Sequence, residues 1–206
     1  MARRRSEPEK TDIDRQIAGL KLNKLCYNIL GVLMREPCSG YDVVRALEKF
    51  RPVNISQVYP LLAEMEAKGL LSSVEVVQEG KPNKRIYRPN EFAHHVQRHW
   101  IGQPTEAPVL RDDFLVKMYS LWACPADQRR AVLEERIARL EGEIDYFRDR
   151  LRELHRSYPE QTLDPDSWQF CRDVLMQRRI RLYSEEVLWC EGVLRKLEAA
   201  RDGGGG

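Results

Sequence analysis

A mainly α chain is predicted, with three helices, a two-stranded hairpin and a fourth helix in the first half and long helices in the second. Three observations predict it. Apolar residues recur at steps of three and four from Leu22 onward. Two short extended runs flank a turn-rich tip at 78–84. Beyond Pro125 an unbroken apolar seam alternates steps of four and three. At 206 residues, 42% hydrophobic and 32% charged, the chain can hold one large domain or two small ones, with a core and a wet surface. Gly 12 and Pro 11 exclude a collagenous or low-complexity chain. No apolar run approaches the roughly 18 residues of a membrane span. Met1–Arg5 is charged but no apolar stretch follows it, so no secretory signal is read and a cytoplasmic location is expected.

Residues 1–20 are polar without a sustained period and are expected to form a flexible basic arm. The first helix carries Leu22, Leu25, Cys26, Ile29, Leu30 and Leu33 and stops at Glu36-Pro37. Ser39 is the expected N-cap of the second helix, with Asp42 completing a short capping box. Val43, Val44, Leu47 and Phe50 form its stripe, and Arg51-Pro52 closes it. The third helix buries Val58, Leu61, Leu62 and Met65. Either Asn54, with Gln57, or Ser56 can cap it. Ser56 is preferred because it leaves Pro60 in the first turn, where a missing N–H costs little. Gly69 is the expected C-terminal cap.

Leu71–Val77 and Arg85–Arg88 read as strands around a tip with Lys81 and Lys84. A fourth helix spans about Asn90 to Ile101, and 102–108 reads as a linker. In the second half a segment from Leu110 to Trp122 precedes the long helix. Leu133, Ile137, Leu140, Ile144, Phe147, Leu151 and Leu154 form the seam of that helix, which ends at Tyr158-Pro159. A last helix begins near Pro165, with Trp168, Cys171, Leu175, Leu182, Trp189 and Val193 on one face. The expected organisation is an arm at 1–20, one domain at 21–102, a helical domain at 109–201 and a disordered tail at 202–206.

Charge divides along the chain. Residues 1–100 carry 17 Lys/Arg against 12 Asp/Glu, and the remainder 17 against 20. A basic first half suits a polyanionic partner. Three helices followed by a basic-tipped hairpin is the order of a winged helix-turn-helix, whose third helix enters a major groove. Opposite its stripe, that helix presents Ser56, Pro60, Ala63 and Ala67, small enough to sit deep. Gln57 can pair with an adenine edge, and the Tyr59 hydroxyl can bond a phosphate. Their ordinary alternative is to cover the edge of the core.

The strings Ile29-Leu-Gly-Val-Leu-Met34, Ser39-Gly-Tyr-Asp-Val43, Ser56-Gln-Val-Tyr-Pro-Leu61, Glu66-Ala-Lys-Gly-Leu70 and Glu79-Gly-Lys-Pro-Asn-Lys-Arg-Ile-Tyr87 resemble the PadR family of bacterial transcriptional regulators. The resemblance covers 25 to about 122 well and the last two helices more loosely. It implies a homodimeric, double-stranded-DNA-binding repressor, often released by a small-molecule effector or a stress signal. Position by position, Ser56, Gln57, Tyr59 and Pro60 would face DNA. Lys81, Lys84 and Arg85 would be wing contacts, and Tyr41 would approach the backbone. The seam residues with Trp189 would build the dimerisation domain. Ala63-Glu64 departs from the basic pair common in the family, and Arg3–Arg5, Lys21 and Lys24 are the cations that could compensate.

Rival readings have less to stand on. Five cysteines form no C-x-x-C pair and suit a reducing compartment. His95 and His99, with Glu91, have metal-compatible spacing but no third defined ligand, so neither a metal, a cofactor nor an enzyme is expected. A coiled-coil adaptor using the winged helix as a protein-binding module is the non-DNA alternative. Trp100, Trp122, Trp168 and Trp189 are candidates for an effector pocket, although core is the commoner use of tryptophan.

Overall fold

The computed structural model describes residues 7–202 apart from 49–52, 79, 81–82, 106 and 108–111. Phe50, Arg51, Pro52, Lys81 and the Arg3–Arg5 arm lie outside the described residues. The chain falls into two compact units that divide after Ala107.

In the first unit the order is α1 (Glu7–Gly19), α2 (Lys24–Leu33), β1 (Cys38–Ser39), α3 (Gly40–Glu48), α4 (Ile55–Ala67), β2 (Leu71–Val76), β3 (Lys84–Pro89) and α5 (Glu91–Ile101). Helix α1 corrects the expectation of a flexible arm. Ile17 is buried and Ile13 half-buried against the core, and one apolar pair four residues apart is too short to register as a period. Asn23 caps α2, its Oδ1 accepting from the backbone N–H groups of Leu25 and Cys26. Ile29, Leu30 and Leu33 of α2 meet Val43 and Leu47 of α3 and Val58, Leu62 and Met65 of α4 in one core.

Ser39 and Asp42 form the expected reciprocal box at the head of α3. The start of α4 is a second correction, because its cap is Asn54 and not Ser56. Asn54 Oδ1 accepts from Gln57 N–H, and Gln57 Oε1 accepts from Asn54 N–H. Pro60 therefore lies inside the helix, where the two bonds of the box help offset the donor it lacks. At the other end Gly69 has φ +69°. Leu70 N–H returns to Met65 O and Gly69 N–H to Glu66 O, a Schellman closure.

The sheet has three antiparallel strands in the order β1-β3-β2. The unexpected strand is β1, two residues long, with Cys38 opposite Tyr87 and Ser39 opposite Ile86. Too short to show alternation, it fixes the base of the hairpin to the head of α3. Asn90 caps α5 and also donates from Nδ2 to Gly69 O at 2.7 Å, joining that helix to the end of α4.

The second unit contains α6 (Asp113–Tyr119), a 3-10 turn at Leu121–Ala123, α7 (Ala126–Ser157) and α8 (Trp168–Asp202). Helices α7 and α8 run antiparallel, since Arg130 meets Glu198 near one end and His155 meets Asp173 near the other. Leu133, Leu140, Ile144, Phe147 and Leu154 are buried, and Ile137 and Leu151 are half-buried. The stripe expected on the last helix is corrected. Gln169, Asp173, Met176, Val187 and Cys190 are buried, while Cys171, Leu175, Leu182 and Trp189 are exposed. Asp173 can occupy the inner face because its carboxylate bonds both His155 and Gln177. Asp202 belongs to α8 and not to a disordered tail; 203–206 lie outside the described residues.

Candidate nucleic-acid interface

Helix α4 turns Val58, Leu62 and Met65 into the core and leaves Ser56, Tyr59, Pro60, Ala63 and Ala67 exposed. Ser56, Pro60, Ala63 and Ala67 keep that face low, between the larger exposed side chains of Ile55, Gln57, Tyr59 and Glu64. Tyr59, 42% exposed, lies over the start of α3, where Gly40 has no side chain to obstruct the ring. Tyr41, 55% exposed, follows Gly40 on α3. The N-terminal turn is internally bonded. Ser56 Oγ donates to Asn54 Oδ1 at 2.6 Å, and the Gln57 carbonyl oxygen is held by the cap. Bidentate pairing of Gln57 with adenine needs that oxygen as well as the amide N–H, so base reading by Gln57 competes with helix capping.

Glu64, the acidic departure on this helix, pairs with Lys68 at 2.5 Å, and Lys68 Nζ also donates to Lys21 O at 2.8 Å. The acidic charge is matched one turn later, and the same lysine ties α4 to the connection between α1 and α2.

Lys84 and Arg85 are both engaged within the unit. Lys84 Nζ is 2.9 Å from Asp42 Oδ2, which also accepts from Ser39 Oγ at 2.6 Å. The Ser39 hydroxyl first and Lys84 second hold the Asp42 carboxyl below its usual range. The bond to Asp42 raises Lys84 in turn. Arg85 Nη2 is 3.0 Å from Glu66 Oε2, and its Nε donates to Ser73 Oγ at 2.6 Å. The thiol of Cys38 next to this network is pushed up to about 11 by burial and then by Asp42, which leaves it unreactive near neutral pH. Sequence reasoning missed Asp42 and Glu66 as partners of the wing cations. The readable signal was strand alternation, which sends Lys84 and Arg85 to opposite faces of the hairpin.

Other candidate residues are dispersed. His95 bonds Arg98 and His99 bonds Gln103. Among the described residues no three His, Cys, Asp or Glu side chains are grouped to hold a metal ion. Trp100 stacks on Tyr27 at 4.3 Å, Trp168 meets Tyr158, and Trp189 meets Phe114 edge-on. Trp168 and Trp189 are on the order of 30 Å apart along α8 and share no pocket. In the second unit Arg136, 10% exposed, binds Asp112 at 2.7 Å and also Glu186, with its guanidinium 4.5 Å from the Phe114 ring.

Two family models match the chain. The transcriptional regulator PadR-like family matches residues 29–93, and the virulence activator alpha C-terminal family matches residues 110–198. An uncharacterized HTH-type transcriptional regulator of Methanocaldococcus jannaschii is 35% identical over 74 residues, 36% of this chain and 73% of that protein. The negative transcriptional regulator PadR of Bacillus subtilis is 21% identical over 180 residues, covering 84% of this chain and 97% of that one. Among solved structures, Bacillus subtilis PadR in complex with operator DNA superimposes with a TM-score of 0.78 at 19% identity, covering 86% of this chain and 99% of that one. The same protein in complex with p-coumaric acid gives 0.65 at 20% identity, covering 84% and 98%. These structural likenesses establish a shared fold.

Proposed function

The chain belongs to the PadR-like family of transcriptional regulators, and from that premise we propose that it acts as a homodimeric repressor on a pseudo-palindromic operator, in the cytoplasm and without catalysis. The observation that carries the reading is the outer face of α4, where Ser56, Pro60, Ala63 and Ala67 are all exposed and small. Such a face lets a helix backbone approach base edges closely. Ser56, Gln57, Tyr59 and Pro60 would lie nearest the DNA, with Tyr41 beside the backbone. The hydroxyls of Tyr41 and Tyr59 supply phosphate contacts that a helix without lysine on this face otherwise lacks.

The dimer is supported by α8. Leu175, Leu182 and Trp189 are spaced seven apart and are 53%, 49% and 46% exposed. A seven-residue apolar repeat on the outside of a helix is the pattern that pairs with another helix. A two-fold dimer would present two copies of α4 to half-sites about one helical turn apart, or a multiple of it. Release by a small-molecule effector belongs to the same proposal, because a structural relative is solved with p-coumaric acid.

The test is enrichment of duplexes from a random-sequence pool by the full chain, followed by titration at several salt concentrations. The reading expects an inverted repeat and a logarithmic salt slope near −0.9 for each phosphate neutralised. No enrichment, or binding indifferent to salt, would overturn it.

A further inference from the structure

We propose that Lys84 and Arg85 orient the wing and do not contact DNA phosphates: each clamps one face of β3 to a different helix and so sets the angle between the hairpin and α4. The inference rests on the DNA-binding reading of α4 for its functional meaning. Its structural half stands independently of that reading.

Consecutive residues of a strand point to opposite faces. Lys84 reaches the head of α3, where Asp42 Oδ2 accepts from its Nζ at 2.9 Å. That oxygen also accepts from Ser39 Oγ at 2.6 Å and Ser39 N at 3.2 Å, and Ser39 lies in β1, hydrogen-bonded alongside β3. Arg85 reaches the last turns of α4. Its Nη2 meets Glu66 Oε2 at 3.0 Å, and its Nε meets Ser73 Oγ at 2.6 Å. Ser73 in turn donates to Glu66 Oε1 at 2.6 Å, closing a ring of three side chains. The guanidinium also lies 5.7 Å from the centroid of the Tyr87 ring.

Each pair is partly exposed, so either alone contributes little. Acting from opposite faces on adjacent residues, they oppose rotation of the hairpin in both directions. A phosphate that captured Lys84 would leave the Asp42 carboxylate with its Ser39 bonds but no countercharge, and one that captured Arg85 would leave Glu66 with only the bond from Ser73. The local charge balance therefore favours the clamps over phosphate contact.

The experiment uses the full chain with Lys84→Met, Arg85→Gln and the conservative Lys84→Arg. Hydrogen exchange is measured on the free protein, and salt-dependent binding on a duplex enriched by the wild-type chain. In Lys84→Met and Arg85→Gln, exchange across β2 and β3 should quicken about two- to five-fold, the size of a partly exposed ion pair. Affinity should fall while the salt slope stays at the wild-type value, and Lys84→Arg should restore both exchange and affinity. Unchanged exchange, unchanged affinity or a slope reduced by about 0.9 in either variant overturns the proposal. If the wild-type chain enriches no duplex, the DNA reading fails, and the exchange data alone decide whether the clamps exist.

Discussion

Gly40 opens α3 directly beneath the ring of Tyr59, and Gly40→Ala tests whether close approach between α3 and α4 is required. A Cβ at this position would lie 2.9 Å from Tyr59 Cζ and 3.1 Å from both Tyr59 Cε2 and Leu62 Cδ1. Leu62 is fully buried and has nowhere to retreat, whereas the Tyr59 ring has an open side. Overpacking of this kind costs about 1–3 kcal/mol. The better helix propensity of alanine returns up to about 1 kcal/mol. The expected net loss is about 0–3 kcal/mol, each kcal/mol lowering Tm by about 4–8 °C for a unit of this size. Thermal or urea unfolding of the full chain measures it. Because two of the three close contacts are to Tyr59, the substitution should cost less in a Tyr59→Ala background. Equal costs in the two backgrounds, or a stabilised Gly40→Ala, would refute the close-packing argument.

Three further outcomes are expected. Leu182→Asp, on the outer face of α8, should leave helix content unchanged while ultracentrifugation shows a monomer, whereas Ile144→Ala in the internal seam should lower stability by about 2–5 kcal/mol; a Leu182→Asp dimer would place the partner elsewhere. Gln57→Ala should lower thermal stability by about 0.3–1.5 kcal/mol through loss of the capping box, and Gln57→Glu should recover it; an unchanged Tm for the alanine variant would free Gln57 for base reading alone. The Asp42 carboxyl is depressed by Ser39 and then Lys84, so its stabilisation is present above its unfolded value of about 3.9 and is lost as pH falls toward the folded one. An acid titration of stability should accordingly be shallower for Asp42→Asn below about pH 4, and identical curves would argue against the bond.

Legibility in the sequence followed the length of the signal. The first unit was readable where apolar residues repeat over two or more turns, as in α2, α3 and α4, and where a turn carries glycine, as at Gly69. It was unreadable where one or two residues make the element. A single Ile13–Ile17 pair holds α1, and two residues make β1. At the start of α4 both caps were visible, and proline placement pointed to Ser56. The reciprocal Asn54–Gln57 bonds prevailed, with Pro60 left inside the helix. The wing cations were visible as charges but not as partners, because Lys84 and Asp42 are distant in sequence and meet only once β1, β3 and α3 are assembled.

The seam of α7 illustrates a deeper ambiguity. A heptad repeat requires an apolar neighbour but does not say whether that neighbour is in the same chain. Here α8 provides it, and Leu133, Leu140, Ile144, Phe147 and Leu154 are core residues of one protomer. Their direct contribution is therefore to the hairpin. The case for a second copy passes to α8, which buries Met176, Val187 and Cys190 inward and exposes Leu175, Leu182 and Trp189 outward. A helix packed on one side alone is normally polar on the other. Apolar stripes on two sides of α8 thus call for partners on both: α7 covers one, and on the other α6 reaches Trp189 through Phe114, which leaves Leu175 and Leu182 as the residues that call for a second copy.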